Sequence, residues 1–121
     1  MAAVRDALSI GLVTGMVLVL AIGTWCCVPG RRRAQESALR RHLSSLRSLI
    51  ARYRGEVGRG PGSLDDLVRG GYLQRIPRDP VTGSRLSWIE VHSVTCSRAS
   101  MVDVKSGAPG RSLDGSDYRV W

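Results

Sequence analysis

The chain has 121 residues and a net charge of +8; 43% of its residues are hydrophobic and 5% are aromatic. Lys105 is the one lysine among 18 basic residues. This excess of arginine favours anionic lipid headgroups or nucleic acid as partners, although an arginine-rich genome and a solvated helix face explain it more simply. Tyr53 is the only aromatic residue among the arginines of residues 31–54, which argues against a single-strand nucleic-acid platform.

Residues 7–28 form an uncharged apolar segment of 22 residues, rich in Leu, Val, Ile and Ala. A bilayer core requires about 20 such residues in a helix, and a single span has no other way to satisfy its backbone. The segment therefore predicts a transmembrane helix behind a short flank or leader at residues 1–6. Its small residues Gly11, Gly15 and Gly23 allow neighbouring helices to approach closely, which favours self-association.

The alternative interpretation of this segment is a cleavable secretory signal peptide. Arg5 is the only basic side chain before the segment and Asp6 opposes its charge, and no small-x-small cleavage site follows before Cys26. A retained span is therefore the preferred interpretation. The cysteines Cys26 and Cys27 are adjacent, and Cys96 is expected to lie too far away to reach them, so no structural disulfide is expected.

The segment 29–54 predicts an amphipathic helix that begins at a water interface. Its apolar positions recur at spacings of four and three, as on one face of an α-helix. The members of this stripe are Leu39, Leu43, Leu46, Ile50 and Tyr53, with Ala38 and Leu49 beside them. The opposite, solvated face is expected to contain Arg40, Arg41, His42, Ser44, Ser45, Arg47 and Arg52. Pro29 is expected to mark a bend between the membrane half and the soluble half of one long helix.

The residues after 28 suffice for one small domain, so the apolar stripe is expected to be the main wall of its core. A short helix is predicted at 63–69, with Ser63 as its N-cap and Gly70 and Gly71 at its end. An extended connector follows, with a turn at Thr82 and Gly83. Short antiparallel strands are predicted at 85–91, 94–96 and 101–104, then a loop at 105–117 and a last strand or packed tail at 118–121.

Several short motifs occur in a fixed order over residues 34–121. They are Tyr53 to Gly55; Ser63-Leu64 with Leu67; Gly71-Tyr72-Leu73; Ile76-Pro77 with Asp79-Pro80 and Gly83; and Asp103 through Trp121 with Ser106-Gly107. With a tryptophan-containing strand between them, these motifs resemble the major pseudopilin family of type II secretion systems, which is type IV pilin-like. The resemblance covers nearly all of the soluble part.

The resemblance implies an α+β, pilin-like fold in which a long N-terminal helix packs on a small three-stranded antiparallel sheet. It also implies a structural subunit that assembles through its N-terminal helix into a periplasmic pseudopilus, a filament that drives protein export. The implied partners are further copies, other pseudopilins and the inner-membrane secretion platform. The implied location is the bacterial inner membrane, crossed once, with the soluble domain in the periplasm.

The N-terminus departs from the family pattern. Aligning Pro29 with the family's helix proline places Ala7 where the leader ends in Gly, so the expected peptidase junction lies between Ala7 and Leu8. Leu12 then stands where the family has a Glu thought to neutralise a neighbouring N-terminal amine, so assembly through Leu12, Gly15 and Pro29 lacks that carboxylate. The arginines at 31–33 also favour a cytoplasmic soluble domain by the positive-inside rule, against the resemblance.

Calcium is the one cofactor that the sequence suggests. Asp103, Asp114, Ser116 and Asp117 offer hard oxygen ligands in or beside the C-terminal loop, as calcium requires. The resemblance implies a calcium ion in the corresponding loop, where it stabilises the fold. The simpler alternative is that Asp114 and Gly115 form a turn and that Asp103 makes a hydrogen bond at a strand end.

Catalysis has little support, because His42 and His92 have no nucleophile or carboxylate at a spacing typical of a triad or a metal centre. The chain is therefore interpreted as a non-enzyme. Two other classes stay open. A minor type IV pilin of DNA uptake would hold phosphate on the arginine surface. A membrane-anchored accessory domain would not polymerise.

Overall fold

The computed structural model describes the backbone of residues 2–95 and 98–121, and the side chains of residues 30–94 and 98–121. The chain divides into two units, Met1–Ala34 and Gln35–Trp121. Helix α1 spans Ala2–Val57 and is unbroken at Pro29, where a bend stays a prediction. The side chains of the expected span, residues 7–28, lie outside the described set. Among residues 30–94 and 98–121, whose side chains are described, no helical segment has the length and hydropathy needed to span a bilayer.

The second unit is built around the apolar stripe of α1. Leu39, Leu43, Leu46 and Ile50 are each at most 2% exposed. Fully burying a leucine or isoleucine contributes about 1.5–3 kcal/mol, so these four side chains are a major part of the core. The predicted spacing of four and three is confirmed by this burial. Val57 ends the helix, and Gly58 follows with a φ of +81° that favours glycine.

Helix α2 spans Leu64–Arg69 and buries Leu64 and Leu67 against the core. Its predicted cap at Ser63 is wrong, since the Ser63 side chain makes no capping hydrogen bond. The backbone N–H of Leu64 instead donates to the Glu90 carboxylate at 2.8 Å, so an acid from another element satisfies the helix start. The predicted end is confirmed, because Gly71 has a φ of +77° and the Tyr72 N–H returns to the Leu67 carbonyl.

The sheet consists of strand β1, Trp88–Thr95, and strand β2, Arg98–Ser106, paired antiparallel. Met101, Val104 and Ser106 are all buried, although strict alternation would place Met101 and Val104 on opposite faces. An irregularity opposite Val91 and His92 shifts the register by one residue. The bulge therefore lets Met101 on one side of it, and Val104 and Ser106 on the other, all face the core.

The fold is α+β, with a long helix packed on a small antiparallel sheet, as predicted. The expectation of three strands is wrong for the described residues, which form two. Residues 85–87 do not begin β1, because side-chain bonds such as Ser84 Oγ with the Leu86 N–H compete with pairing. Within the predicted strand 94–96, Cys96 is not among the described residues. The chain end is a packed tail containing a 3-10 helix, Tyr118–Val120, rather than a strand.

A fully buried aspartate holds the connector to β2. Asp79 is 0% exposed; its Oδ2 accepts from the Ser106 hydroxyl at 2.6 Å, and its Oδ1 accepts from the Val81 N–H at 2.8 Å. The turn at Thr82 and Gly83 is confirmed, since Gly83 has a φ of +71° and its N–H donates to the Asp79 carbonyl. Asp79 thus orders both the turn and the end of β2.

Candidate functional site

Three charged side chains on one side of α1 bind the C-terminal segment and β2. They are Glu36, Arg40 and Arg47, separated by four and seven residues, a spacing that places them on one helix face. Each contacts a different part of the segment from Asp103 to Trp121. These contacts fix the segment on which the calcium prediction rests.

Glu36 is a buried acid at 8% exposure. Its Oε1 accepts from the Tyr118 hydroxyl and from the Leu113 N–H, both at 2.8 Å. Two hydrogen bonds to a charged acceptor offset much of the cost of burying it. The sequence carries one signal for this role, which was not among the predictions: Glu36 is the only acid between residues 30 and 55.

Arg40 joins the helix to the turn of the loop. Its Nη2 donates to Asp114 Oδ2 at 3.0 Å, and its Cζ lies 4.3 Å from the centre of the Trp121 ring. Asp114 Oδ1 also accepts from the hydroxyls of Ser112 and Ser116. The Ser112 hydroxyl, then the Ser116 hydroxyl and N–H, and last the Arg40 guanidinium hold the pKa of Asp114 well below its usual range. The loop therefore carries a firmly ionised carboxylate.

Arg47 makes the corresponding link to β2. Its Nε donates to Asp103 Oδ1 at 2.7 Å and its Nη2 to the Val104 carbonyl at 3.1 Å. Arg40 and Arg47 are exposed, as predicted for the solvated face of α1, and each also pairs with a carboxylate of the C-terminal segment. The prediction of a solvated side chain is wrong for His42, which is half-buried, with a buried Nδ1 that has no hydrogen-bond partner among the described residues.

Of the four residues expected to bind calcium, the structure brings Asp114 and Ser116 together, while Asp103 and Asp117 have other partners. Asp103 is bound to Arg47, Asp114 and Ser116 are bound to each other and to Ser112, and Asp117 Oδ1 accepts from the Arg119 N–H. Within the described residues, no group of three or more His, Cys, Asp or Glu side chains is placed to hold a metal. Calcium requires six to eight oxygens, and the described residues show no such cluster of acidic side chains. Calcium binding stays a prediction, which exchange of EGTA for calcium would test through the unfolding midpoint.

Two polar residues of β1 hold α2 and the loop before it in place. The sequence alone gave them no such role. His92 Nε2 lies 2.9 Å from the Gly62 carbonyl oxygen. Glu90, two residues before His92 in β1, caps α2.

The residues predicted for processing and assembly lie outside the set with described side chains, as do Cys26 and Cys27. They are Ala7, Leu8, Leu12, Gly15 and Pro29. Their roles stay predictions.

Comparison with known proteins gives no relative for this chain: no protein-family model, curated protein or solved structure matches it.

Proposed function

We propose that the protein is a pseudopilin-like structural subunit of a type II secretion system. In this proposal its N-terminal helix assembles into a periplasmic pseudopilus that drives protein export. Its partners are further copies of itself, other pseudopilins and the inner-membrane secretion platform. It crosses the bacterial inner membrane once, and its second unit lies in the periplasm.

The observation that carries the proposal is the unequal composition of α1. The helix runs from Ala2 to Val57, and among the described side chains its part after Gln35 contributes the apolar stripe to the core of the second unit. Residues 7–28 are apolar in sequence and free of charge, so the same helix also has an uncharged apolar segment suited to packing against copies in a membrane or a filament.

Further support comes from the short motifs that carry the family resemblance, because they coincide with structural junctions. Asp79 binds Ser106, and a Cβ at Gly107 would lie 2.2 Å from the Ser87 carbonyl oxygen. Tyr118 donates to Glu36 on α1. Two motif positions that are 27 residues apart in sequence, Asp79 and Ser106, therefore meet in the core, and Tyr118 joins the last motif to α1, as expected of a pattern that specifies a fold.

Self-assembly is the property that separates this proposal from a membrane-anchored accessory domain. The full chain is cross-linked in native membranes and compared with Gly15→Leu, which fills a position where helices are expected to approach closely. Ala21→Leu is the matched control, since six residues of helix turn it to another face. A ladder of cross-linked copies that Gly15→Leu weakens more than Ala21→Leu supports the proposal. A wild-type protein that stays monomeric contradicts it.

DNA binding separates the proposal from a minor pilin of DNA uptake. That alternative predicts an affinity for DNA that falls steeply with salt, because arginines would displace counterions from phosphates. A pseudopilin-like subunit is expected to show no such binding in a filter-binding titration. A steep salt slope would favour the DNA-uptake alternative.

A further inference from the structure

A concave surface lies beside the glycine-rich loop that follows α1. It is an open pocket of about 810 Å³, and three of its lining residues are arginines from three separate segments. Arg54 lies in the last turn of α1, Arg59 in the loop, and Arg98 at the start of β2. Residues distant in sequence thus bring three positive charges to one pocket, which we name the arginine pocket.

The loop that carries Arg59 is fixed at both ends. At one end the Gly58 N–H donates to the Arg54 carbonyl at 2.9 Å. At the other end the Met101 N–H donates to the Pro61 carbonyl at 2.7 Å, and a Cβ at Gly60 would lie 2.4 Å from the Met101 carbonyl oxygen. The loop therefore packs directly on β2, and the backbone positions of the three arginines are set relative to one another.

Arginines outnumber acids in the lining of the arginine pocket by three to one. Within residues 30–94 and 98–121, no carboxylate lies within ion-pair distance of Arg54, Arg59 or Arg98, whereas Arg40 and Arg47 both have one. Asp66, the one acid in the lining, accepts from the Gly62 N–H at 2.8 Å and lies 3.8 Å from Arg69. Like charges on a concave surface focus the electrostatic field and attract anions.

We propose that the arginine pocket binds a small phosphate-bearing polyanion. The guanidinium group presents paired N–H donors that match the oxygens of a phosphate, and it stays charged at every physiological pH. The hydroxyls of Ser93 and Ser100 also line the pocket and add neutral donors. Its volume falls within the usual range for small-molecule sites. This inference does not depend on filament assembly.

The test is isothermal titration of pyrophosphate into the full chain in non-ionic detergent at low ionic strength. The pocket variant carries Arg54→Gln, Arg59→Gln and Arg98→Gln. The control variant carries Arg41→Gln, Arg75→Gln and Arg85→Gln, which remove the same charge from exposed positions that do not line the pocket. We expect the dissociation constant for pyrophosphate to rise about tenfold or more in the pocket variant, because at least one charge-assisted contact is lost. In the control variant it should change little.

Two further arms identify the source of the phosphate and guard against misfolding. If short-chain phosphatidylglycerol in the micelle competes with pyrophosphate, the ligand class is a lipid headgroup; if it does not, the class is a soluble phosphate compound. Arg59→Gln alone changes one exposed side chain and is expected to weaken binding while leaving the circular dichroism spectrum unchanged. Absence of pyrophosphate binding by the wild type, or equal losses in the pocket and control variants, would overturn the proposal.

Discussion

Replacing Asp79 by alanine tests whether one buried carboxylate holds the connector to the sheet. The side chain is 0% exposed and accepts from the Ser106 hydroxyl, the Val81 N–H and, at 3.3 Å, the Thr82 N–H. Alanine leaves the fully buried Ser106 hydroxyl without this acceptor. It also removes the acceptor of the half-buried Val81 N–H, whereas water can reach the exposed Thr82.

The expected cost follows from these three donors. A buried donor left unsatisfied costs about 1–3 kcal/mol, and a partly exposed one costs about 1 kcal/mol or less. Asp79→Ala should therefore lower the free energy of unfolding by about 2–4 kcal/mol. Asp79→Asn keeps the amide oxygen for the two N–H groups and loses the charge-assisted bond to Ser106, so it should cost about 1–2 kcal/mol. The exposed Asp65, changed to alanine, is the matched control and should cost less than about 1 kcal/mol.

The assay is urea denaturation of the full chain in non-ionic detergent, followed by tryptophan fluorescence in a Trp25→Phe background. Trp88 is an appropriate reporter because it is 8% exposed and its Nε1 donates to the Pro77 carbonyl at 2.8 Å. The slope of free energy against urea should stay constant while the midpoint falls. If Asp79→Ala costs no more than Asp65→Ala, the account of Asp79 as the link between connector and sheet is refuted.

Three further predictions concern the C-terminal segment and its contacts. Glu36→Ala should cost about 1–3 kcal/mol, because the Tyr118 hydroxyl loses an acceptor, and a double-mutant cycle with Tyr118→Phe should show coupling. Gly107→Ala should cost about 1–3 kcal/mol, since its Cβ would meet a backbone oxygen at 2.2 Å. The control Gly55→Ala, with nothing within 4 Å, should stabilise the helix by up to about 1 kcal/mol. The pKa of Asp114 is lower in the folded state, so its contribution to the free energy of unfolding is present at neutral pH and is lost as pH falls below about 4. In Asp114→Asn, the urea midpoint should therefore fall less between neutral and acidic pH than in the wild type.

Each of these predictions has a result that contradicts it. Additive effects of Glu36→Ala and Tyr118→Phe would show that the two side chains do not interact. Equal stability of Gly107→Ala and Gly55→Ala would mean that the close approach at Gly107 is absent. An Asp114→Asn variant with the wild-type acid profile would mean that another carboxylate governs that loss.

The wall of the core was predictable because periodicity is a local property. Leu39, Leu43, Leu46 and Ile50 face the core wherever a helix forms, so burial followed from spacing alone. The partners of Arg40 were not predictable in the same way. Spacing assigns a side chain to a helix face. The contact of Arg40 with Asp114, however, joins residues that are 74 apart in sequence, and no local pattern indicates it.

The sheet and the predicted calcium site show a second limit of prediction from sequence. Met101 and Val104 are both buried because of a bulge, which a strict period of two cannot indicate. Asp103 and Asp114 are close in sequence and both acidic, which favoured a shared ion. In the fold they are bound by Arg47 and Arg40 at different points along α1, so arginines of the helix take the carboxylates that were expected to coordinate a metal.

The most direct test of the pseudopilin proposal is the intact mass of the membrane-extracted protein, expressed with and without a prepilin peptidase. The account predicts loss of residues 1–7 only when the peptidase is present, with cleavage between Ala7 and Leu8. An Ala7→Trp variant, in which a bulky residue precedes the junction, should keep its full mass under both conditions. An unchanged wild-type mass in the presence of the peptidase would contradict the account and indicate a permanently anchored domain.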